Sequence, residues 1–440
     1  MHAVPAWTLA PFAALLLSIA ILPLAAPHYW ESNRNKAWVS LACALPIALW
    51  LVIAHGAAGW AELGHKAMEF ISFIALLGAL YVISGGIYVR GSLSGTPLLN
   101  TGLLAIGALL ASAIGTTGAS VLLIKPLLRA NRKREHKAHL VVFFIFVVSN
   151  CGGLLTPLGD PPLFLGFLKG VPFEWTFRLW PAWLLVNGAL LVIFNFWDQR
   201  VFDREEREGP EALLEEVQRH EPIGIDGRRN FLFLAGVVAT IFASGSGLWN
   251  GGAPWTWGIA EALMLALAAG SFVATSRALH TLNVFTWSPI VEVAVLFAGI
   301  FIAMTPALLY LNEHAARFGI ASPAGFFWAA GALSSFLDNA PTYLTFAATA
   351  CGLDGVPLEG RYLASYLARG GDNPAILAAI SAGAVFMGAN TYIGNGPNFM
   401  VKAIAEQTGV RMPSFFGYMA YSGGVLLPLF GLVTLVFFAR

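Results

Sequence analysis

Two carboxylates stand in stretches that are otherwise suited to hydrocarbon. Asp160 lies in SNCGGLLTPLGDPPLFLGF (149–167) and Asp338 in SSFLDNAPTYLTF (334–346). An acid at such a depth must be paired, hydrated or protonated, and it marks an ion or substrate pathway. Asn150 and Thr156 add side-chain oxygens beside Asp160, while Gly152, Gly153, Gly159, Pro157, Pro161 and Pro162 interrupt the helix and restart it. An unwound backbone in a membrane must line a cavity or bind something, because lipid cannot satisfy its polar groups. Asn339 and Thr342 flank Asp338 in the same way. Clustered oxygens suit a hard cation such as Na⁺, for which Asp160, Asp338, Asn150 and Asn395 are the candidate ligands. A Pro-kinked structural helix is the plainer reading of the first stretch, and a capping Asp with Pro341 in the first turn is that of the second.

The elements that must position these groups are membrane helices. The chain has 440 residues, of which 57% are hydrophobic and only 11% charged; soluble domains carry about 25% charged residues. Mean hydropathy is +0.70. Apolar runs at 8–27, 37–57, 66–86, 138–170, 177–197, 230–248, 256–274, 288–311, 373–402 and 414–438 are long enough to span. The runs 99–128 and 322–350, broken near their middles by small and polar residues, read as re-entrant hairpins. The fold expected is therefore an all-α polytopic membrane protein with about ten spanning helices, two hairpins and two broken helices. RANRKREHK (129–137) marks a cytoplasmic loop, as does the charged segment 198–229, which also holds a short amphipathic helix near 209–219. No Lys or Arg precedes the first apolar run, so it reads as a retained helix rather than a cleaved leader.

The two halves repeat. TPLGDPPLF (156–164) aligns with TYIGNGPNF (391–399), matching Thr156 with Thr391 and setting Asp160 on Asn395. SAIGTTGAS (112–120) aligns with SSFLDNAPT (334–342), placing Thr116 on Asp338. Counted through the membrane, 1–197 and 230–440 become inverted repeats joined by the linker 198–229, each with five spans and one hairpin. Paired interrupted helices in inverted halves point to a transporter with a midplane site. Asn390, Thr391, Asn395, Thr116 and Thr117 join the candidate ion- or substrate-binding residues on this ground; small-residue packing also accounts for the two hairpin threonines.

Other chemistries find no support. Three cysteines show no paired spacing, nine histidines form no metal motif, and Walker A and G-x-G-x-x-G sequences are absent. No nucleophile–base set suggests an enzyme, and a net charge of +1 implies no nucleic-acid partner. Lys125 reads as a snorkelling residue near the cytoplasmic face, and Glu292 as an acid in the first turn of its helix. No cofactor is expected beyond Na⁺ or H⁺ as coupling ions.

NCGGLLTPLGDPP, FLDNAPT and GANTYIGNGPN together resemble the ion transporter superfamily of NhaD-type sodium/proton antiporters, ArsB-type arsenite carriers, citrate–metal symporters and divalent-anion/sodium symporters. Asp338-Asn339-Ala340-Pro341 fits the antiporter and arsenite-carrier pattern. Gly159-Asp160-Pro161-Pro162 is more similar to the arsenite-carrier branch, and Gly115-Thr116-Thr117 stands where NhaD-type proteins carry Asp-Asn. The resemblance implies a homodimeric elevator carrier, multi-pass in a bacterial inner membrane. Competition of Na⁺ and H⁺ for two acids makes sodium/proton antiport the leading expectation. The alternatives are cation-coupled carboxylate (citrate or dicarboxylate) uptake, with Asn395, Asn398 and Thr391 as donors at half-helix N-termini, and arsenite-type efflux.

Overall fold

The structure is a computed structural model that describes residues 4–92, 95–208, 221–251, 253–283 and 285–439. The chain is 78% helical, with 19 helices among the described residues. The main ones are α1 (Leu9–Ala25), α2 (Asn33–His55), α3 (Ala57–Gly85), α4 (Pro97–Ile114), α5 (Thr116–Ala130), α6 (Ala138–Val147), α7 (Pro161–Leu168) and α8 (Trp180–Glu208). After the linker come α9 (Asn230–Ser246), α10 (Ile259–Ala274), α11 (Ser288–Glu313), α12 (Pro323–Ser334), α13 (Asn339–Leu353), α14 (Asn373–Met387), α15 (Gly396–Gln407) and α16 (Phe415–Val433). Nine helices among the described residues are long and apolar enough to cross a membrane, and the protein is an integral, multi-pass membrane protein. The expected spans at 230–248 and 256–274 shorten to α9 and α10, of 17 and 16 residues. At 1.5 Å per residue these fall a little short of a hydrocarbon core of about 30 Å; glycines at positive φ bound them, Gly247 (67°) and Gly258 (101°).

Burial separates core helices from lipid-facing ones. Every residue from Leu140 to Val148 is fully buried, as expected of a helix that is apolar all round. In the window Ala138–Leu155, 89% is buried inside the protein, against 22% in Asn33–His55. The latter leaves Trp38 and Ile53 exposed, a surface that hydrocarbon would cover. The most extensive helix–helix contact among the described residues is α12 against α14. A Cβ at Gly383 would meet the Phe327 carbonyl, so a small residue sets the approach, the usual device where lipid removes the hydrophobic drive for association.

Two features differ from the sequence reading. The helix expected at 177–197 continues to Glu208, because its charged end is pinned: Arg134 holds Asp198 at 2.6 Å and Glu205 at 2.9 Å, and His139 Nε2 lies 2.8 Å from Asp198. A two-stranded antiparallel sheet, β1 (Tyr88–Ser92) with β2 (Glu221–Asp226), ties the loop after α3 to the end of the linker. The loops around 88–92, 129–137 and 221–226 are thereby gathered at one end of the molecule. The amphipathic helix expected near 209–219 lies outside the described residues.

Candidate functional site

Both expected broken helices are present, with closely matching backbones. α6 stops at Val147, passes through a 3₁₀ turn (Cys151–Leu155) and an extended Thr156 (φ −137°, ψ 158°), and restarts at Pro161. α14 stops at Met387, passes through Gly388–Asn390 and an extended Thr391 (φ −137°, ψ 167°), and restarts at Gly396. Asp160 (φ −148°, ψ 143°) and Asn395 (φ −152°, ψ 142°) occupy the same position before the second half-helix. A proline in the first turn of each half-helix blocks continuous winding. The glycines are required: a Cβ on Gly159 would strike the Gly153 carbonyl, and one on Gly394 the Gly388 carbonyl.

Each break is stitched to a hairpin tip. The Thr156 hydroxyl donates to the Ser112 carbonyl at 2.5 Å and accepts from Leu158 N–H at 3.1 Å. The Thr391 hydroxyl donates to the Ser335 carbonyl at 2.5 Å and accepts from Ile393 N–H at 3.2 Å. These bonds shift the register of the hairpins by one residue from the alignment of letters. Ser112 corresponds to Ser335, Thr116 to Asn339 and Gly115 to Asp338, because Gly115 and Asp338 are the caps from which α5 and α13 start. Gly115 has φ 82° and ψ 149°, a region open in practice only to glycine.

Four elements converge on Asp160, which is 1% exposed. Its Oδ1 accepts from the Thr116 hydroxyl at 2.9 Å and from Asn395 Nδ2 at 3.2 Å; its Oδ2 accepts from Asn339 Nδ2. Thr116 N–H also donates to the Gly159 carbonyl at 2.8 Å. Asn150 joins the two breaks, donating to the Ile145 carbonyl at 2.8 Å and to Asn398 Oδ1 at 2.7 Å, while its Oδ1 accepts from Asn395 at 3.2 Å. Asn398 in turn donates to the carbonyls of Gly388 and Thr391. Asn390 Nδ2 donates to Ser335 Oγ at 2.9 Å. Asn150, Thr156, Asn390 and Thr391 therefore spend hydrogen bonds on holding the frame, whereas Thr116, Thr117, Asp338 and Asn395 line a cavity of about 110 Å³. Asp338 caps α13 through Ala340 N–H at 3.0 Å and is part-exposed to that cavity. The Asn339 Oδ1 and Asn390 Oδ1 atoms are buried with no hydrogen-bond partner among the described residues.

A second cavity, of about 860 Å³, adjoins the first, and Tyr81 and Pro289 line both. Lys125, Arg129, Arg132 and Lys137 line it with no carboxylate among the described residues. Lys125, expected only to snorkel, donates to the Asn283 carbonyl at 2.9 Å at its wall. Arg129 is held by the Tyr88 hydroxyl at 2.7 Å and the Val89 carbonyl at 2.5 Å. On the other side of Asp160, at the far end of α7, Lys169 forms a buried ion pair with Glu69, which Lys66 also approaches at 3.3 Å. Glu292, expected in the first turn of its helix, is the fifth residue of α11 and lies past that turn; it pairs with Lys36 at 2.7 Å, so an ion pair rather than the helix start accounts for that acid.

Ser112, Ser335 and Arg129 were not among the sequence candidates. The serines are visible in the repeat only once the one-residue shift is known: their carbonyls take the threonine bonds, and their hydroxyls add a bond from Ser112 to the Gly152 carbonyl and one from Asn390 to Ser335. Arg129 and Arg132 were legible as loop charge alone. No curated protein matches the sequence. A family model described as "Putative citrate transport" matches residues 1–438, and the chain belongs to that family of membrane transporters.

Proposed function

We propose that the protein is a secondary carrier that moves a small carboxylate, citrate by its family, together with Na⁺ or H⁺. The observation that carries the reading is the vestibule beside the central cavity, whose wall has four cations and no described carboxylate. Such a field concentrates anions. The half-helix starts of α5, α7, α13 and α15 meet around Asp160, and their positive dipole ends favour a carboxylate. By the positive-inside rule the vestibule opens to the cytoplasm, which makes this an inward-facing form closed on the other side by the Glu69–Lys169 pair. The central cavity is smaller than the 300–1,000 Å³ common for ligand pockets; it suits a carboxylate head with its cation, and a whole tricarboxylate needs the tips to separate.

Coupling follows from Asp160 and Asp338. A substrate carboxylate about 4 Å from either meets a repulsion of about 4 kcal/mol at an effective dielectric of 20, close to a thousandfold in affinity. A bound Na⁺ or proton removes it, so anion and cation bind together. Asp338, Thr116, Thr117 and the unpartnered Asn339 Oδ1 are the oxygens offered to the cation, with Asp160, Asn150 and Asn395 behind them. The repeats 1–197 and 230–440 would move their hairpins and broken helices as one elevator body within a homodimer, in a bacterial inner membrane surrounded by lipid.

Sodium/proton antiport is the second reading, favoured by one observation: two acids at the centre of one site with a spare amide oxygen beside them. Labelled citrate uptake into proteoliposomes under a Na⁺ or pH gradient is expected, with no citrate-independent proton exchange. Collapse of a pH gradient by Na⁺ alone, without citrate accumulation, would reverse the order of the two readings.

A further inference from the structure

One face of α8 changes character along its length. Positions four apart run Val192, Phe196, Arg200 and Arg204, and residues so spaced share a face, so an apolar stripe ends in two arginines. Val192 and Phe196 are 56% and 63% exposed. At the change Trp197 stacks on Tyr421 of α16 with ring centroids 5.5 Å apart, the kind of amphipathic rings that settle at headgroup depth. This stripe is a wall of a cavity of about 1360 Å³, to which the loop before α6 adds Arg134, Lys137 and one carboxylate, Glu135, and the turn before α16 adds Arg411, so cations outnumber the acid in its lining. Arg200, Arg204 and Arg411 have no ion-pair partner among the described residues. Arg134, with a fully buried side chain, gives two nitrogens to Asp198 and Glu205 and leaves Nη2 unpartnered among the described residues.

We propose that this cavity binds an anionic phospholipid of the cytoplasmic leaflet, with its phosphodiester on Arg200, Arg204 and Arg411 and an acyl chain along Val192 and Phe196. Basic pockets at the cytoplasmic ends of membrane helices take such headgroups, and here the cations continue directly into a hydrocarbon-facing stripe. A soluble anion would have no use for that stripe. A second copy of the chain packed on it about a two-fold axis would bring the same arginines toward each other. The lipid would brace α8 and, through Asp198 and Glu205, the Arg134 loop that joins the first hairpin to the first broken helix. The proposal is independent of which solute is carried.

Native mass spectrometry of the purified full-length protein, with phosphatidylglycerol or phosphatidylcholine added, tests it. The wild type should retain phosphatidylglycerol in preference. R200Q/R204Q/R411Q should lose that preference by about a hundredfold, at about fivefold per cation, while solute transport in phosphatidylcholine liposomes shows it to be folded. Should the variant not fold, brominated phosphatidylglycerol must quench wild-type tryptophan emission more than brominated phosphatidylcholine does, with the difference reduced in W197F. Equal retention of the two lipids, unchanged selectivity in the triple variant, or equal quenching overturns the proposal. Displacement of the lipid by inorganic phosphate alone would assign the site to a soluble anion. A change of oligomeric mass in the variant, with no change in lipid retention, would assign it to a second copy; both results also overturn the proposal.

Discussion

The two broken helices share a scaffold and differ in where they carry charge. In each, a threonine hydroxyl reaches a serine carbonyl at 2.5 Å, two glycines six residues apart let backbones touch, and a polar residue precedes the second half-helix. In the first that residue is Asp160; in the second it is Asn395. The hairpin caps reverse the assignment: Gly115 in the first half, Asp338 in the second. Each half thus contributes one acid, at non-equivalent positions. One acid is buried under three side-chain donors, and the other faces the cavity with a single backbone donor. A duplicated frame can be kept while its chemistry diverges, because frame bonds run through carbonyls, hydroxyls and glycines rather than the residues that bear charge.

Substitutions at the paired positions break or sharpen this contrast. The largest effect is expected at the first break: Asp160→Ala strands the Thr116 hydroxyl and the Asn339 amide, each costing about 1–3 kcal/mol when unpaired, while Asn395 keeps the Ser149 carbonyl and Asn150 Oδ1. It should abolish uptake and lower the melting temperature, whereas Asn395→Ala should leave a folded protein with weakened uptake. Equal destabilisation by the two would mean that the node is not centred on Asp160. Asp338→Asn should leave the frame intact yet remove most of the roughly thousandfold cation dependence of substrate affinity, read by binding titrations with and without Na⁺ at several pH values. Retention of full cation dependence would shift the coupling role to Asp160 alone. Gly159→Ala and Gly394→Ala both force a methyl against backbone; each should cost about 1–3 kcal/mol, the first more than the second, as a thermal melt in detergent would show. Smallest and closest to equal are Thr156→Val and Thr391→Val, at about 1–2 kcal/mol each. A large difference between them would deny that the two threonines hold equivalent joints.

Much of this architecture was readable from the letters. The hydropathy runs located the helices, and the helix breakers in NCGGLLTPLGDPP and GANTYIGNGPN located both interruptions, since proline and glycine act locally whatever surrounds them. The hairpin register was not readable: SAIGTTGAS and SSFLDNAPT align best on Ser112–Ser334, but the hydrogen bonds choose Ser335. Backbone acceptors leave no mark on residue type. The β1–β2 pair was likewise invisible, being built from short charged segments far apart in the chain, and the end of α8 was misjudged because ion pairs with Arg134 extend it beyond its apolar run.

By itself the sequence determined that this chain lives in a membrane, where its helices run, and which residues break them, because each of these depends on local composition against a fixed hydrocarbon thickness. Tertiary structure alone decided that Asp160 is enclosed while Asp338 faces a cavity, and that Lys125, Arg129, Arg132 and Lys137 share one vestibule with Tyr81, Asn283 and Ile404. Those outcomes depend on which donors and charges meet across distant parts of the chain, and hydrogen bonding and Coulomb energy are set by distance in space rather than by order along the backbone.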